Sequence, residues 1–202
     1  LINKKIRAGI VGRKRVYEEL ILSATSMKKK KKLIWFHSSS LGEFEQAKPI
    51  IERLKQEKDV NVLITFFSPS GYENSKKYPY ADLISYIPFD TKSNAEKFIA
   101  ITNPTLAVIM RYDVWPNMIS SLKAKDIPIY LVDATLRSTS PRQYPLIKSF
   151  HKILFGNLTR ILTVSESDAS EFKSSAFDDK KVSAVGDTRF DRVYQRSLRA
   201  KE

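Results

Sequence analysis

Cysteine is absent from the 202 residues, so neither a disulfide framework nor a thiolate metal site is available. Histidine is scarce: His37 and His151 are the two imidazoles, and neither lies in metal-ligand spacing. No metal site is expected, and no cofactor. The six glycines form neither G-x-G-x-x-G nor G-x-x-x-x-G-K-[ST], which removes the best support for a dinucleotide or P-loop reading. No apolar run approaches the ~20 residues of a membrane span. No signal-peptide pattern is visible, and the sequence begins at Leu1 rather than Met. Acidic residues are outnumbered, 22 against 35 basic ones, leaving a formal charge of +13.

That charge points to an anionic partner: nucleic acid, anionic lipid or a phosphorylated substrate. Residues 3 to 22 read as a basic amphipathic helix, with Ile6, Ile10, Tyr17, Leu20 and Ile21 apolar and Lys4, Lys5, Arg7, Arg13, Lys14 and Arg15 around them. Such a stretch suits an anionic membrane surface or a solvated helix packed on a domain. Lys28 to Lys32 is an unbroken lysine run. It is either a solvated linker or a contact for phosphates.

From Leu33 onward, β-rich runs alternate with helical patterns. Strands are expected at Leu33 to His37, Asn61 to Phe67, Leu83 to Ile87, Leu106 to Met110, Ile129 to Val132, Arg160 to Val164 and Val182 to Val185. Helices are expected from Leu41, with a kink at Pro49, from Ser68-Pro69, over Lys92 to Ile101, and from Trp115-Pro116 to Lys125. Further helices are expected over Leu146 to Leu158, from the Ser165–Asp168 capping box to Ser175, and after Gly186. Asp133 to Arg142 reads as a polar loop. The alternation predicts an α/β fold, a Rossmann-like parallel sheet of six or seven strands flanked by helices.

Ligands of open α/β sheets bind outside the carboxyl ends of the strands. The segment Leu33 to Glu45 places a strand, a polar turn and a helix start there, and brings Glu43 to the mouth of the cleft. Two readings apply to Glu43. Ser40 and Glu43 match an S-x-x-E capping box, in which the carboxylate serves only a backbone N–H. Alternatively, Gly42 in the first helical turn marks a close approach, and Glu43 is a reactive carboxylate. His37 reads equally as a ligand contact or as a satisfied histidine beneath the turn, and Trp115 as core beside the cleft.

Several motifs together resemble the amino-terminal half of the 3-deoxy-D-manno-octulosonic acid (Kdo) transferases of lipopolysaccharide synthesis. Trp35-Phe-His-Ser-Ser-Ser-Leu-Gly-Glu43 is similar to the family's W-x-H-x-x-S-x-G-E, and Ile109-Met-Arg-Tyr-Asp-Val-Trp-Pro-Asn117 to its E-T-E-x-W-P-N. Pro88-Phe-Asp90, Ser165-Glu-Ser-Asp168 and Gly186-Asp-Thr-Arg-Phe-Asp191 follow in matching order, and Arg7 to Arg13 looks like an upstream arginine region of the family.

The resemblance implies one half of an inverting GT-B glycosyltransferase. Residues 1–32 would be the basic helix and lysine linker, 33–186 the acceptor-binding domain, and 187–202 a helix leading to the interdomain linker. The acceptor would be a lipid A precursor. The donor, CMP-Kdo, would bind mainly a carboxyl-terminal domain outside this sequence, so this half alone is expected to be inactive. The resemblance makes Glu43 the catalytic base and Ser40, Gly42, His37, Asp113, Arg137 and Arg142 the candidate acceptor-binding residues. Arg111 reverses the charge of the family's acidic residue, and Arg137 is displaced within the loop. The implied location is the cytoplasmic face of the bacterial inner membrane, against an anionic surface. The contrasting reading is a non-enzymatic basic module for nucleic acid or anionic lipid. Trp35, Phe36 and the many tyrosines could stack on bases, but Trp35 and Phe36 sit in an apolar strand and no nucleic-acid motif accompanies them.

Overall fold

In the computed structural model, residues 4–26, 31–136, 152–174 and 179–199 are described. Seven parallel strands form one sheet in the order β3-β2-β1-β4-β5-β6-β7. They are β1 (Leu33–Ser38), β2 (Asn61–Phe66), β3 (Leu83–Tyr86), β4 (Leu106–Met110), β5 (Ile129–Ala134), β6 (Arg160–Thr163) and β7 (Val182–Ala184). The central strands are nearly continuous apolar runs because both faces of a parallel sheet are covered. All six residues of β1 and of β2 are buried.

Side chains alternate between the faces, so residue parity assigns each to a core. Leu33, Trp35, Leu63, Ala107, Ile109, Ile129 and Leu131 share one core with Val16, Leu20, Phe98, Met118 and Leu122. Those partners come from α2 (Val16–Ser26), α5 (Lys92–Thr102) and α6 (Pro116–Lys123). Ile34, Phe36, Val62, Ile64, Val108, Met110 and Val132 share the other with Phe44, Ala47 and Ile51 of α3 (Leu41–Glu57). The strand order steps outward from β1 to β3, then returns to place β4 on the other side of β1. The switch point of the sheet therefore lies between the carboxyl ends of β1 and β4.

The basic amino-terminal stretch differs from the single helix expected. It forms α1 (Lys4–Lys14) and α2, separated by a tight turn in which Arg15 N–H donates to the Gly12 carbonyl (3.4 Å). The reason is close packing: a Cβ on Gly12 would lie 2.4 Å from the Tyr86 ring, so the chain passes the sheet edge without a side chain there. Arg13, counted with the solvated basic residues, is 9 % exposed instead. Its guanidinium donates to the carbonyls of Gly9 and Ile87 (3.0 Å each) and of Phe67, with the Phe67 ring 4.3 Å beneath it. Burial lowers its proton affinity.

Local caps begin two helices as expected: Ser68 accepts from Gly71 N–H (3.0 Å) at α4 (Pro69–Ser75), and Ser165 from Asp168 N–H (3.1 Å). Thr91 adds a cap at α5, accepting from Asn94 N–H (3.3 Å). α3 continues through Pro49 as one helix of 17 residues. α6 ends at Lys123, two residues before the expected end, and has no side-chain cap of its own. Asp90, from the Pro88-Phe-Asp motif, supplies that cap from another loop. It accepts from the backbone N–H of Asn117 (3.0 Å) and of Met118 (2.9 Å), and Asn117 Nδ2 returns a bond to the Asp90 carbonyl (2.8 Å). Asp90→Ala should therefore lower the unfolding free energy by about 1–2 kcal/mol, read from urea denaturation. An unchanged midpoint would show that the helix start does not depend on Asp90.

Candidate active site at the switch point of the sheet

β1 ends in the turn His37-Ser-Ser-Ser40, and β4 ends in Arg111-Tyr-Asp113, so the switch point brings these two turns together. Asp113 Oδ2 accepts from His37 Nε2 (3.0 Å), from Trp115 Nε1 (3.0 Å) and from the Ser39 hydroxyl. Asp113 is partly exposed (27 %), whereas His37 is buried (1 %). The other nitrogen of His37, Nδ1, meets Thr65 Oγ1 at 2.9 Å, and Thr65 Oγ1 also accepts from Trp35 Nε1 (2.8 Å). An indole only donates, so the Thr65 proton is free to face Nδ1. The donor inventory assigns the His37 proton to Nε2, pointing at Asp113. His37 therefore reaches the site through Asp113, as a satisfied histidine beneath the turn. Trp115 lies beside the cleft with its indole spent on the same carboxylate and its ring 5.2 Å from that of Phe67.

Glu43 stands in the first turn of α3, across from Asp113. Ser40 Oγ accepts from Glu43 N–H at 3.4 Å, so the cap anticipated at Ser40 is present, although long. The carboxylate half of the box reaches one residue further back as well: Glu43 Oε2 accepts from Ser39 N–H at 2.7 Å, and the Ser40 N–H of the box also acts on the carboxylate. Capping at Ser40 and an anchored carboxylate beside Asp113 thus coexist in one geometry. Burial pushes the Glu43 carboxyl above its ordinary value. The Ser39 N–H opposes this, the charge of Asp113 adds to it, and His37 and the Ser40 N–H work against it. A carboxylate with raised proton affinity and one anchored oxygen is suited to take a proton from a hydroxyl. Gly42 is exposed, and a Cβ there would meet only Ser40 Oγ at 3.9 Å. Packing does not require glycine at this position, and its absence of a side chain leaves the approach to Glu43 open.

Two carboxylates that the sequence reading placed in a loop or gave no role complete the carboxyl edge. β5 extends to Ala134, and Asp133 is fully buried with a left-handed φ of 53°. It caps α8 (Thr188–Arg199) from outside by accepting from Thr188 N–H (3.3 Å) and the Thr188 hydroxyl. Burial raises its proton affinity. Asp187 accepts from Arg189 Nε (2.8 Å) and is held below the usual carboxylate range by that guanidinium. Arg111 has a φ of 68°, and its charge lowers the proton affinity of both Asp133 and Asp187. Where the family carries an acid, this chain places a counter-cation for two acids. The signal for the trans cap was present in the Gly186-Asp-Thr motif, but only the fold reveals which strand end it faces. Asp168, in α7 (Glu166–Ser174), likewise accepts from Leu136 N–H (2.9 Å), tying the start of the following loop to the edge. Arg137 and Arg142 lie outside the described residues. Among the described residues, no cluster of three or more potential metal ligands occurs, and no helix is long and apolar enough to cross a membrane.

A parallel sheet in this order, with Glu43 and Asp113 gathered at the switch point, defines a Rossmann-like domain of the kind that makes up half of a GT-B fold. The UDP-GlcNAc 2-epimerase of Neisseria meningitidis, solved with UDP-GlcNAc bound, shares this fold with a TM-score of 0.64. The match has 14 % identity and covers 84 % of this chain and 50 % of that one. The family model of the 3-deoxy-D-manno-octulosonic-acid transferases (kdotransferases) matches residues 14–192, and the chain belongs to that family. It is 30 % identical to the 3-deoxy-D-manno-octulosonic acid transferase of Aquifex aeolicus over 166 residues, which is 82 % of this chain and 42 % of that protein. The corresponding enzyme of Haemophilus influenzae is 26 % identical over 161 residues, 78 % of this chain and 38 % of that protein. The chain thus spans about two fifths of the length of these relatives.

The raised proton affinity of Glu43 has a definite sign in stability. Its charged form is disfavoured by the fold, so its contribution is full below the unfolded carboxylate range and is lost as pH rises through the folded value. Glu43→Gln should therefore be more stable than the parent at neutral pH. That advantage should vanish below about pH 4, as urea midpoints across pH would show. A variant less stable than the parent at neutral pH would contradict the burial account.

Proposed function

We propose that this chain is the acceptor-binding half of an inverting glycosyltransferase that moves Kdo from CMP-Kdo to a lipid A precursor. The single observation that carries this is the Glu43 carboxylate: anchored by Ser39 N–H at 2.7 Å, raised in proton affinity, and set at the switch point beside Asp113. Membership of the Kdo transferase family supports the choice of transferred sugar. In the reaction, Glu43 takes the proton of the acceptor hydroxyl while its oxygen forms a bond to the anomeric carbon of Kdo. The bond from that carbon to the phosphate oxygen breaks, and CMP leaves with the electron pair. Attack from the face opposite the leaving group inverts the configuration.

Asp113 acts behind the base by fixing Ser39, whose N–H orients the Glu43 carboxylate, and His37 and Trp115 hold Asp113 in turn. Ser40 and Gly42 shape the approach to Glu43, and Arg137 and Arg142 would meet acceptor phosphates. CMP-Kdo would bind mainly a second domain, in keeping with the greater length of the relatives. A charge of +13 suits work at the anionic cytoplasmic face of the inner membrane. The nucleic-acid reading loses two of its stacking groups, since Trp35 and Phe36 are each 1 % exposed in the core.

The test is transfer from CMP-Kdo to a lipid A precursor by the complete enzyme carrying Glu43→Gln. Turnover should fall by about 10²–10⁴-fold with acceptor binding and circular dichroism unchanged. Turnover within a few-fold of the parent would remove Glu43 from the role of base.

A further inference from the structure

β2 buries all six of its residues, and Thr65 is fully buried among them. Valine has the same branching and suits a strand equally well, so neither propensity nor packing calls for a hydroxyl at this position. A buried hydroxyl costs free energy unless it is hydrogen-bonded. Thr65 stands directly opposite His37 in the β1–β2 register, and Trp35 precedes His37 on the same face of β1. Among the described residues, Thr65 Oγ1 has two partners, Trp35 Nε1 at 2.8 Å and His37 Nδ1 at 2.9 Å. All three side chains are buried, so bulk water does not compete for these bonds.

The direction of each bond follows from the groups themselves. Trp35 can only donate, which fills one acceptor position of Oγ1 and leaves the hydroxyl proton for His37 Nδ1. An Nδ1 that accepts carries no proton, so the imidazole proton sits on Nε2 and meets Asp113 Oδ2 at 3.0 Å. The opposite tautomer would set the Nε2 lone pair against a carboxylate oxygen and leave the Thr65 hydroxyl without an acceptor. Donors therefore run one way from the core to the site, from Trp35 to Thr65, from Thr65 to His37, and from His37 to Asp113. Asp113 also receives the Ser39 hydroxyl, and Ser39 N–H holds the Glu43 carboxylate at 2.7 Å. Buried hydrogen bonds in such a chain polarise and strengthen one another. We propose that Thr65 is a positioning residue for proton transfer at Glu43: its hydroxyl fixes the tautomer and ring orientation of His37 and, through Asp113 and Ser39, the orientation of the Glu43 carboxylate. This rests on the reading of Glu43 as the base. Thr65 itself acts only through His37.

The test compares Thr65→Val with Thr65→Ser, by turnover of the complete enzyme and by nitrogen NMR of the His37 ring in the 202-residue chain. The parent should show His37 protonated at Nε2, with Nδ1 at the shift of a hydrogen-bonded acceptor. Thr65→Val keeps the branching and loses the hydroxyl. Its kcat should fall about tenfold with the acceptor KM changed less than about twofold, and its Nδ1 and Ser39 amide signals should move. Thr65→Ser keeps the hydroxyl and loses a methyl. It should unfold at lower urea yet hold kcat within about twofold of the parent, with the parent's imidazole and Ser39 signals. A residue that served packing alone would reverse this order, leaving Thr65→Val the closer to the parent, and that result would overturn the proposal. An Nδ1-protonated His37 in the parent chain would overturn it by itself, whether or not Thr65→Val folds. So would equal losses of kcat in the two variants. Any of these results alongside an inactive Glu43→Gln enzyme would leave the transferase reading intact. Unchanged turnover of Glu43→Gln would instead end the base reading, whatever the imidazole signals show.

Discussion

One oxygen atom, Oδ2 of Asp113, receives donors from three places: the end of β1 through His37, the following turn through Ser39, and the approach to α6 through Trp115. Those donors belong to chain segments separated by more than seventy residues, and nothing else in the site joins them so directly. A charged acceptor in a partly buried setting makes stronger hydrogen bonds than a neutral one. Once Asp113 is held, Ser39 is held, and with it the N–H that anchors Glu43. Behind His37, Thr65 and Trp35 extend the network into the core, so the ring is buttressed on both nitrogens.

The same device recurs along the carboxyl edge of the sheet. Asp90 starts α6, Asp133 starts α8, and Asp168 fixes the chain leaving β5, each by accepting backbone N–H groups from a distant segment. Helix starts expose unpaired N–H donors and a positive dipole end, so a carboxylate from a neighbouring loop satisfies both. In this way three of the outnumbered acidic residues set element positions. Arg13 does the converse at the same edge, binding three carbonyls and drawing α1 against the carboxyl ends of β2 and β3. Arg111, with its left-handed backbone, sits between Asp133 and Asp187 in electrostatic reach of both. A positive residue is tolerated there because this edge already carries two acids.

Much of this was legible in residue order. Every strand was located to within about two residues, because a buried parallel strand is a short apolar run bounded by turn residues, and those signals are local. The capping serines Ser40, Ser68 and Ser165 were legible for the same reason. Less legible were the break between α1 and α2, the inward turn of Arg13 and the role of Asp90. Each depends on a partner dozens of residues away, such as Ile87 for Arg13 and Met118 for Asp90. Glu43 shows the boundary well: spacing could not separate a cap from a base, and the fold shows the carboxylate anchored on Ser39 N–H in addition to the Ser40 N–H of the capping box.

By itself, the sequence determined the α/β alternation, the absence of thiol chemistry, the cationic character and the motif order that marks the family, since composition and local periodicity require no folded context. Only the tertiary structure decided which carboxylates face one another, which way the His37 proton points, and that Arg13 and Asp133 are interior groups. The physical reason is that proton affinity and hydrogen-bond partnership depend on burial and on neighbours across the sheet. Residues as far apart as Ser39 and Asp113 become neighbours only when β4 is laid beside β1.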